Sequence, residues 1–353
     1  MNISNAARPS LLRIGLLTLA LGCAFSAAAA PKKILVITQS KGFMHGAVRR
    51  PAPEQLCLVE KTLDEIGKAS GVFTTVHSQD AIGSITRDNL KQFDAVFFYT
   101  TGILLPAGDP REALTDFVRS GKGFIGTHSA TDTFHGGKEA FTGYVKMING
   151  SFAGHPWGSG TTCTFTNHDP QHPAVAMYPA EFQWKDEIYQ YSNYDPASVR
   201  VLLSLDMTKT RPLMPYLVPV SWVREYGEGR LFYTNLGHNE TTWKDATFQK
   251  HLLEGMRWAL KLVDGSAAPN PQAQQVQHNR AVVAFAAAES GRDASRYLAK
   301  AADASWVKSV TEAVEVLRKL PNPDPKKAPA AEVEAAKQRR SAAIATLQTA
   351  LDR

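Results

Sequence analysis

The chain has 353 residues and a formal net charge of +6. This charge is too small and too scattered to indicate a nucleic-acid-binding protein. Beyond the first 30 residues no apolar run is long enough for a transmembrane helix, so we expect no membrane span. The length allows one large domain and an appendage.

The first 30 residues have the three zones of a secretory signal peptide. Arg8 and Arg13 precede a mostly apolar run, and small residues lead up to Ala30. We therefore expect cleavage near Ala30 and a periplasmic or secreted protein with a net charge of +4, the two arginines having been removed from +6. A lipid anchor at Cys23 is the less favoured alternative, because Ala20 stands where a lipoprotein box usually has leucine.

Short apolar runs alternate with amphipathic helical stretches in the first half of the chain. The runs are typical of strands buried on both faces and lie at 33–38, 72–76, 94–99 and 123–127. Residues 53–68 and 111–120 carry apolar side chains at helical spacing. This alternation predicts an α/β fold with a doubly wound, mainly parallel sheet of the flavodoxin-like type.

The middle of the chain has a different composition. Residues 152–205 are rich in Thr, Asn, His, Pro and aromatic residues, which predicts a β-rich insert that overhangs the sheet. Strand-like pieces lie at 161–167 and 182–191. After the insert, the parallel pattern is expected to resume at 218–224 and 230–234.

A helix over 243–260 is expected to close the α/β domain, which spans residues 31–263. Residues 264–279 have the composition of a linker. A helical tail over 280–353 follows, interrupted by prolines between Pro321 and Pro329. Such an Ala-rich amphipathic tail indicates a packing element, or a contact with a partner or a second copy of the chain.

Two cysteines remain after the leader, Cys57 and Cys163. They could pair in an oxidising compartment or stay as buried free thiols, and the sequence leaves both readings open.

Three histidines follow three predicted strands. His45, His128 and His238 come just after the runs that end near residues 38, 127 and 234. Because ligands of open parallel sheets bind at the carboxyl ends of the strands, these imidazoles are expected at one edge. The segment around His128 also has the strand-turn-helix form of a nucleophile elbow, with histidine at the apex. Histidine there suits proton transfer or metal ligation.

The insert and its neighbours supply further candidates. Asp186 and Glu187 could orient an imidazole or hold substrate hydroxyls, whereas aromatic faces and polar groups together favour a carbohydrate ligand. The substrate-binding candidates are Asp132, His155, Trp157, Tyr189 and Trp222. Neutral imidazoles with a carboxylate would suit zinc or a similar divalent ion, so His45, His128 and His238 are also candidate metal ligands.

Several of these segments, in order, resemble the ThuA-like family of trehalose utilisation. The resemblance covers about residues 32–262 and rests on Lys33–Thr38 with Gly42–His45, Gly123–Asp132, Asp186–Tyr189, Pro219–Trp222, and Gly227–Tyr233 with Leu236–His238. It implies a fold like that of class I glutamine amidotransferases and a link to disaccharide catabolism through keto-sugars. Those amidotransferases have cysteine at the elbow, so His128 argues against thiol-dependent glutamine hydrolysis.

The leading hypothesis is an exported carbohydrate-active enzyme that works on a disaccharide or keto-sugar glycoside as a lyase, isomerase or hydrolase. Its chemistry would be acid–base or metal-assisted, with His128 as central base or ligand and His45 and His238 beside it. A non-catalytic sugar-binding module is one alternative. An interaction protein that recruits partners through its helical tail is the other.

Overall fold

The computed structural model describes residues 1–2 and 30–353, so the predicted leader and Cys23 lie outside the described part of the chain. Residues 31–353 form one compact unit. Within the described residues, no helix combines the length and the apolar character needed to span a membrane.

The strands, in chain order, are β1 (Lys32–Ile37), β2 (Phe73–Ser78), β3 (Ala95–Phe98), β4 (Gly123–Thr127), β5 (Ser151–Phe152), β6 (Thr162–Asn167), β7 (Glu181–Lys185), β8 (Tyr191–Ser192), β9 (Arg200–Leu205), β10 (Pro219–Tyr226) and β11 (Gly229–Thr234). The helices are α1 (Leu58–Ser70), α2 (Ala81–Ser84), α3 (Arg87–Leu90), α4 (Asp109–Arg119), α5 (Thr142–Ile148), α6 (Glu240–Trp243), α7 (Ala246–Ala259), α8 (Pro271–Glu289), α9 (Ala304–Arg318) and α10 (Ala330–Asp352).

Nine strands form one mixed sheet in the order β2-β1-β3-β4-β11-β10-β9-β6-β7, and β5 pairs with β8 in a small ribbon. The strands from β2 to β11 in this order are parallel. Alternate residues of β1 enter two separate cores, one packed by α1 and α7 and the other by α4 and α5. Burial on both faces explains the continuous apolar runs. The predicted doubly wound α/β fold is confirmed.

The prediction that the parallel pattern resumes at 218–224 is wrong. Strand β10 pairs antiparallel with β11, although β11 itself runs parallel to β4 as expected. The reason is the connection: Tyr226 and Gly229 are opposite each other, and only the turn at Gly227, with φ +62°, separates them. So short a turn joins antiparallel strands, whereas a parallel pair needs a long crossover.

The β-rich segment extends the sheet instead of overhanging it. Strand β9 pairs with β10, β6 with β9 and β7 with β6, all antiparallel. The predicted strand over 182–191 is interrupted, because β7 ends at Lys185 and a loop carries the next residues to β8. That loop contains Asp186 and Glu187 and reaches back to the carboxyl ends of the parallel strands.

Two predicted helices begin later than expected. Helix α1 starts at Leu58 instead of residue 53, because Cys57 and Glu60 form a capping box at its amino end. Helix α7 starts at Ala246 instead of residue 243, because the carboxylate of Asp245 caps it and the short α6 precedes it.

The predicted linker is too long. Helix α8 begins at Pro271, a residue favoured in the first helical turn, so only residues 264–270 connect the α/β domain to the tail. Helices α8, α9 and α10 share a third hydrophobic core around Val310, Leu347 and Leu351. The two cysteines of the described chain are both buried free thiols.

Candidate metal centre

The carboxyl ends of β1, β4 and β11 bring three histidines together, as the sequence predicts. His45 precedes a 3-10 turn after β1, His128 follows β4 directly, and His238 lies in the loop after β11. The centroid of the His45 ring is 4.8 Å from that of His128 and 5.2 Å from that of His238. The His128 and His238 ring centroids are 5.1 Å apart.

His128 stands at the apex of the turn with φ +43°, a left-handed conformation that residues with a side chain rarely adopt. Its ring is fully buried, and Nδ1 lies 2.9 Å from the carbonyl oxygen of Asn235. A carbonyl can only accept, so Nδ1 carries the proton and donates it. The lone pair of Nε2 is therefore on the side of His238 and Glu187, and this is the tautomer that a metal ligand needs.

Glu187 completes the cluster from the loop after β7. Its Oε1 atom lies 3.1 Å from Nδ1 of His238 and 3.6 Å from Nε2 of His128. Burial by itself would raise the pKa of Glu187, but the contacts with His128 and His238 outweigh burial and hold the pKa well below its usual range. The side chain is therefore a carboxylate at neutral pH.

The spacing of these atoms fits a tetrahedral metal site. Nε2 of His128 and Nδ1 of His238 are 3.2 Å apart, and Oε1 of Glu187 completes a triangle with sides of 3.1 and 3.6 Å. A zinc ion bound tetrahedrally at about 2.0–2.1 Å would place its ligand atoms about 3.4 Å apart. With His45 included, all four ligand atoms lie within 4.8 Å of one another.

His45 has a buried ring nitrogen that is available to bind a metal ion. Its Nδ1 atom is buried and has no hydrogen-bond partner among the described residues, whereas Nε2 lies 3.4 Å from the hydroxyl of Tyr189. Burial, together with the neighbouring His128 and His238, lowers the pKa of His45 to about 2. The ring is thus a neutral imidazole with a nitrogen left over, which suits a metal ligand.

The pKa of His238 is raised, whereas that of His45 is lowered. Burial lowers it, but the hydrogen bond and the negative charge of Glu187 more than compensate and raise the pKa above its usual value. Three imidazoles, one of which has an unsatisfied buried nitrogen, and one carboxylate together fit a divalent cation of the zinc type.

Asp186 does not join the cluster. Its carboxylate accepts hydrogen bonds from the backbone of Gly237 at 2.8 Å and of Asn239 at 2.9 Å, and from the hydroxyl of Thr242 at 3.0 Å. These bonds clamp the loop on both sides of His238. Asp186 is therefore a positioning residue, and Glu187 alone of the acidic pair faces the histidines.

Three of the remaining predicted site residues lie at or beside the histidine cluster. The Tyr189 ring centroid is 4.4 Å from that of His128, and Nδ1 of the half-exposed His155 is 3.5 Å from Oε2 of Glu187. Asp132 lies at the end of the turn that starts with His128, and its carboxylate pairs with His135. Tyr189 and His155 thus belong to the site, and Asp132 lies beside it.

The structure does not bring the two predicted tryptophans to the site. Trp157 and Trp222 are fully buried. Their indole nitrogens donate to the carbonyl oxygens of Pro212 and Ile148. Both therefore belong to the hydrophobic cores.

Two buried residues of the site were missed by the sequence analysis. The Tyr99 ring centroid is 5.4 Å from that of His45, and its hydroxyl donates to the carbonyl oxygen of Gly237. The Asn235 side-chain oxygen accepts from the backbone of Tyr189 at 3.2 Å. Asn235 directly follows β11, so the strand-end rule used for the histidines would have found it. Tyr99 directly follows β3 in the structure but lies inside the run predicted at 94–99, so the rule would not have found it.

Comparisons with known proteins identify relatives of the α/β domain. A family model, ThuA, described as trehalose utilisation, matches residues 33–259. A ThuA-like protein from Bacteroides uniformis is 21% identical with a TM-score of 0.53, and the match covers 71% of this chain and 99% of that protein. One from Parabacteroides merdae is 17% identical with a TM-score of 0.50, covering 69% and 99%. Among curated proteins, none matches. The structural matches establish a common fold.

Proposed function

The chain belongs to the ThuA family of trehalose utilisation, and we propose that it is an exported, metal-dependent enzyme acting on a disaccharide or keto-sugar glycoside. The observation that carries the proposal is the cluster of His45, His128, His238 and Glu187, whose ligand atoms lie within 4.8 Å of one another. The sugar as substrate class comes from the family description. Export rests on the leader pattern, and an amino terminus at Pro31 in the mature protein would support it.

The four side chains would hold the ion. The carbonyl of Asn235 fixes the His128 ring from behind, and Asp186 fixes the backbone on both sides of His238. A bound divalent cation would polarise a carbonyl oxygen or a water molecule. Proton removal next to a ketone requires such an electrophile and a base that works near neutral pH.

His155 is the residue we assign to proton transfer. Its side chain is 52% exposed, so it can exchange protons with solvent or substrate, and Glu187 lies 3.5 Å from its Nδ1 atom. Imidazole is the side chain best suited to giving and taking protons near neutral pH. His155 is also not among the four residues whose ligand atoms converge.

Metal analysis of purified variants tests the proposal. We expect about one zinc-like ion per chain in the wild type and its loss in His128→Ala, His238→Ala and Glu187→Gln. The alanine changes remove a ligand nitrogen, and the glutamine change replaces the anionic carboxylate with a neutral amide. His278→Ala, in helix α8, is the control and should retain the ion. His155→Ala should also retain the ion but slow turnover of a keto-glycoside by about 10²–10⁴-fold.

Three results would contradict the metal site or the enzymatic function. A wild-type protein that takes up no zinc, manganese or cobalt after reconstitution would overturn the metal site. Full metal in the His128→Ala and His238→Ala variants would do the same. Metal-independent sugar binding without turnover would support the sugar-binding module in place of the enzyme.

A further inference from the structure

Phe43 places an aromatic ring in solvent at the edge of the histidine cluster. Its side chain is 67% exposed and that of the neighbouring Met44 is 44% exposed. The Phe43 and His45 ring centroids are 4.8 Å apart, with the planes at 79°. Among the large apolar side chains exposed in the described part of the chain, this is the one with an aromatic ring.

A single exposed apolar residue needs no explanation by itself. Here, however, the backbone that carries the ring is held firmly. The carbonyl oxygen of Phe43 accepts from Oγ1 of Thr101 at 2.9 Å, the same Oγ1 accepts from the Gly42 backbone at 3.1 Å, and Lys41 donates to the Thr101 carbonyl at 2.9 Å.

The loop after β3 approaches this backbone so closely that only glycine fits. Gly102 has φ +76°, and a Cβ atom there would lie 2.8 Å from the backbone nitrogen of Gly42. These contacts fix the backbone from which the exposed Phe43 ring projects, two residues before His45.

We infer that Phe43 is the aromatic platform of a sugar-binding subsite, on which the apolar C–H face of a pyranose ring stacks beside the metal centre. The inference rests on the proposed function, because it takes a sugar as the ligand. The buried tryptophans cannot provide such a face, whereas Phe43 offers one within reach of His45. Stacking on an aromatic ring is the usual way in which proteins recognise that face.

Calorimetry with trehalose, and with trehalose oxidised to a keto-sugar in one ring, tests the subsite. We expect Phe43→Ala and Phe43→Leu to weaken binding about tenfold, because leucine restores apolar area but no aromatic face. Phe43→Tyr should bind within about twofold of the wild type. Ile82→Ala, which shortens another exposed apolar side chain, in α2, is the control.

Several outcomes would overturn the inference. They are unchanged binding in Phe43→Ala, equal binding in Phe43→Leu and the wild type, and no binding of either sugar by the wild type. A change in sedimentation of Phe43→Ala with unchanged sugar binding would assign the ring to a contact between copies of the chain instead. Metal content is measured on the same samples: Phe43-dependent sugar binding by a protein without metal would leave the subsite standing while the proposed metal-dependent function fails.

Discussion

His128 sits in a backbone conformation that costs free energy, and the cost can be measured. With φ at +43°, a residue that carries a Cβ atom pays roughly 1–2 kcal/mol that glycine does not. We expect His128→Gly to be more stable than His128→Ala by about 1 kcal/mol when both are unfolded by urea in the presence of a chelator. The comparison removes the imidazole from both proteins, so the two variants differ only in the Cβ methyl group.

Ala130 provides the matched control for this pair, because it lies in the same buried turn without a positive φ. There the exchange should have the opposite sign, with Ala130→Gly destabilising by about 0.5–1 kcal/mol. If His128→Ala proved as stable as His128→Gly, the turn would be relaxed in the variant. The strain would then belong to the histidine and not to the position.

The sequence was sufficient for the histidines because a general rule places the ends of parallel strands at one edge. It was not sufficient for the neighbours Asp186 and Glu187, of which the first fixes the loop around His238 and the second faces the histidines. Their directions depend on how the loop after β7 meets the loop after β11. Nor could composition separate the buried Trp157 and Trp222 from an exposed ring such as Phe43, since burial is a property of the packed molecule.

The same limit applies to whole strands. The runs that became β1, β3 and β4 are recognisable because both faces of each strand are buried. Strand β7 instead alternates exposed and half-buried residues at the edge of the sheet, so its pattern does not show which strand it joins. Only the pairing with β6 settles that it extends the main sheet.

Asn270 connects strand β9 to helix α8 in a way that predicts a clear loss of stability. Strand β6 pairs with β9 only at residues 203–205, so the backbone of Val201 lies beyond that ladder. The Asn270 side chain bonds to Val201 where β6 does not. Its Nδ2 atom donates to the Val201 carbonyl oxygen and its Oδ1 atom accepts from the Val201 nitrogen, both at 2.9 Å. We expect Asn270→Ala to destabilise the protein by about 2–4 kcal/mol, as two backbone groups lose partners.

Urea unfolding checks this value, and Asn270→Asp serves as the intermediate variant because aspartate keeps the acceptor but not the donor. Its loss should be at least half that of alanine, because a carboxylate oxygen then faces the Val201 carbonyl oxygen. A loss below about 0.5 kcal/mol in Asn270→Ala would mean that water replaces the amide. The tail would then contribute little to the edge of the sheet.

Two buried histidines outside the site affect the molecule as a whole. His172 and His251 are 2% and 0% exposed, and both contact the backbone of Ala174. The Ala174 nitrogen donates to Nδ1 of His172, and Nδ1 of His251 lies 2.5 Å from the Ala174 carbonyl oxygen. Burial is the main reason that the pKa of each falls from 6.5 to about 4. Both rings are therefore neutral in the folded protein near neutral pH.

This difference in pKa makes stability depend on pH below neutrality. Between pH 6.5 and about 4 the unfolded chain binds protons at His172 and His251 that the folded chain does not, so the free energy of unfolding falls as the pH falls. Each histidine accounts for a loss of about 3 kcal/mol across this window, against a typical total stability of about 5–15 kcal/mol.

Urea unfolding at pH 8, 6, 5 and 4.5 measures the loss. The His251→Gln variant keeps a donor for the Ala174 carbonyl but does not titrate. It should reduce the slope of the free energy of unfolding against pH by about 1.4 kcal/mol per pH unit. Its effect at pH 8 reports the change in packing alone. An unchanged slope in that variant would show that His251 binds its proton in the folded protein as readily as in the unfolded chain.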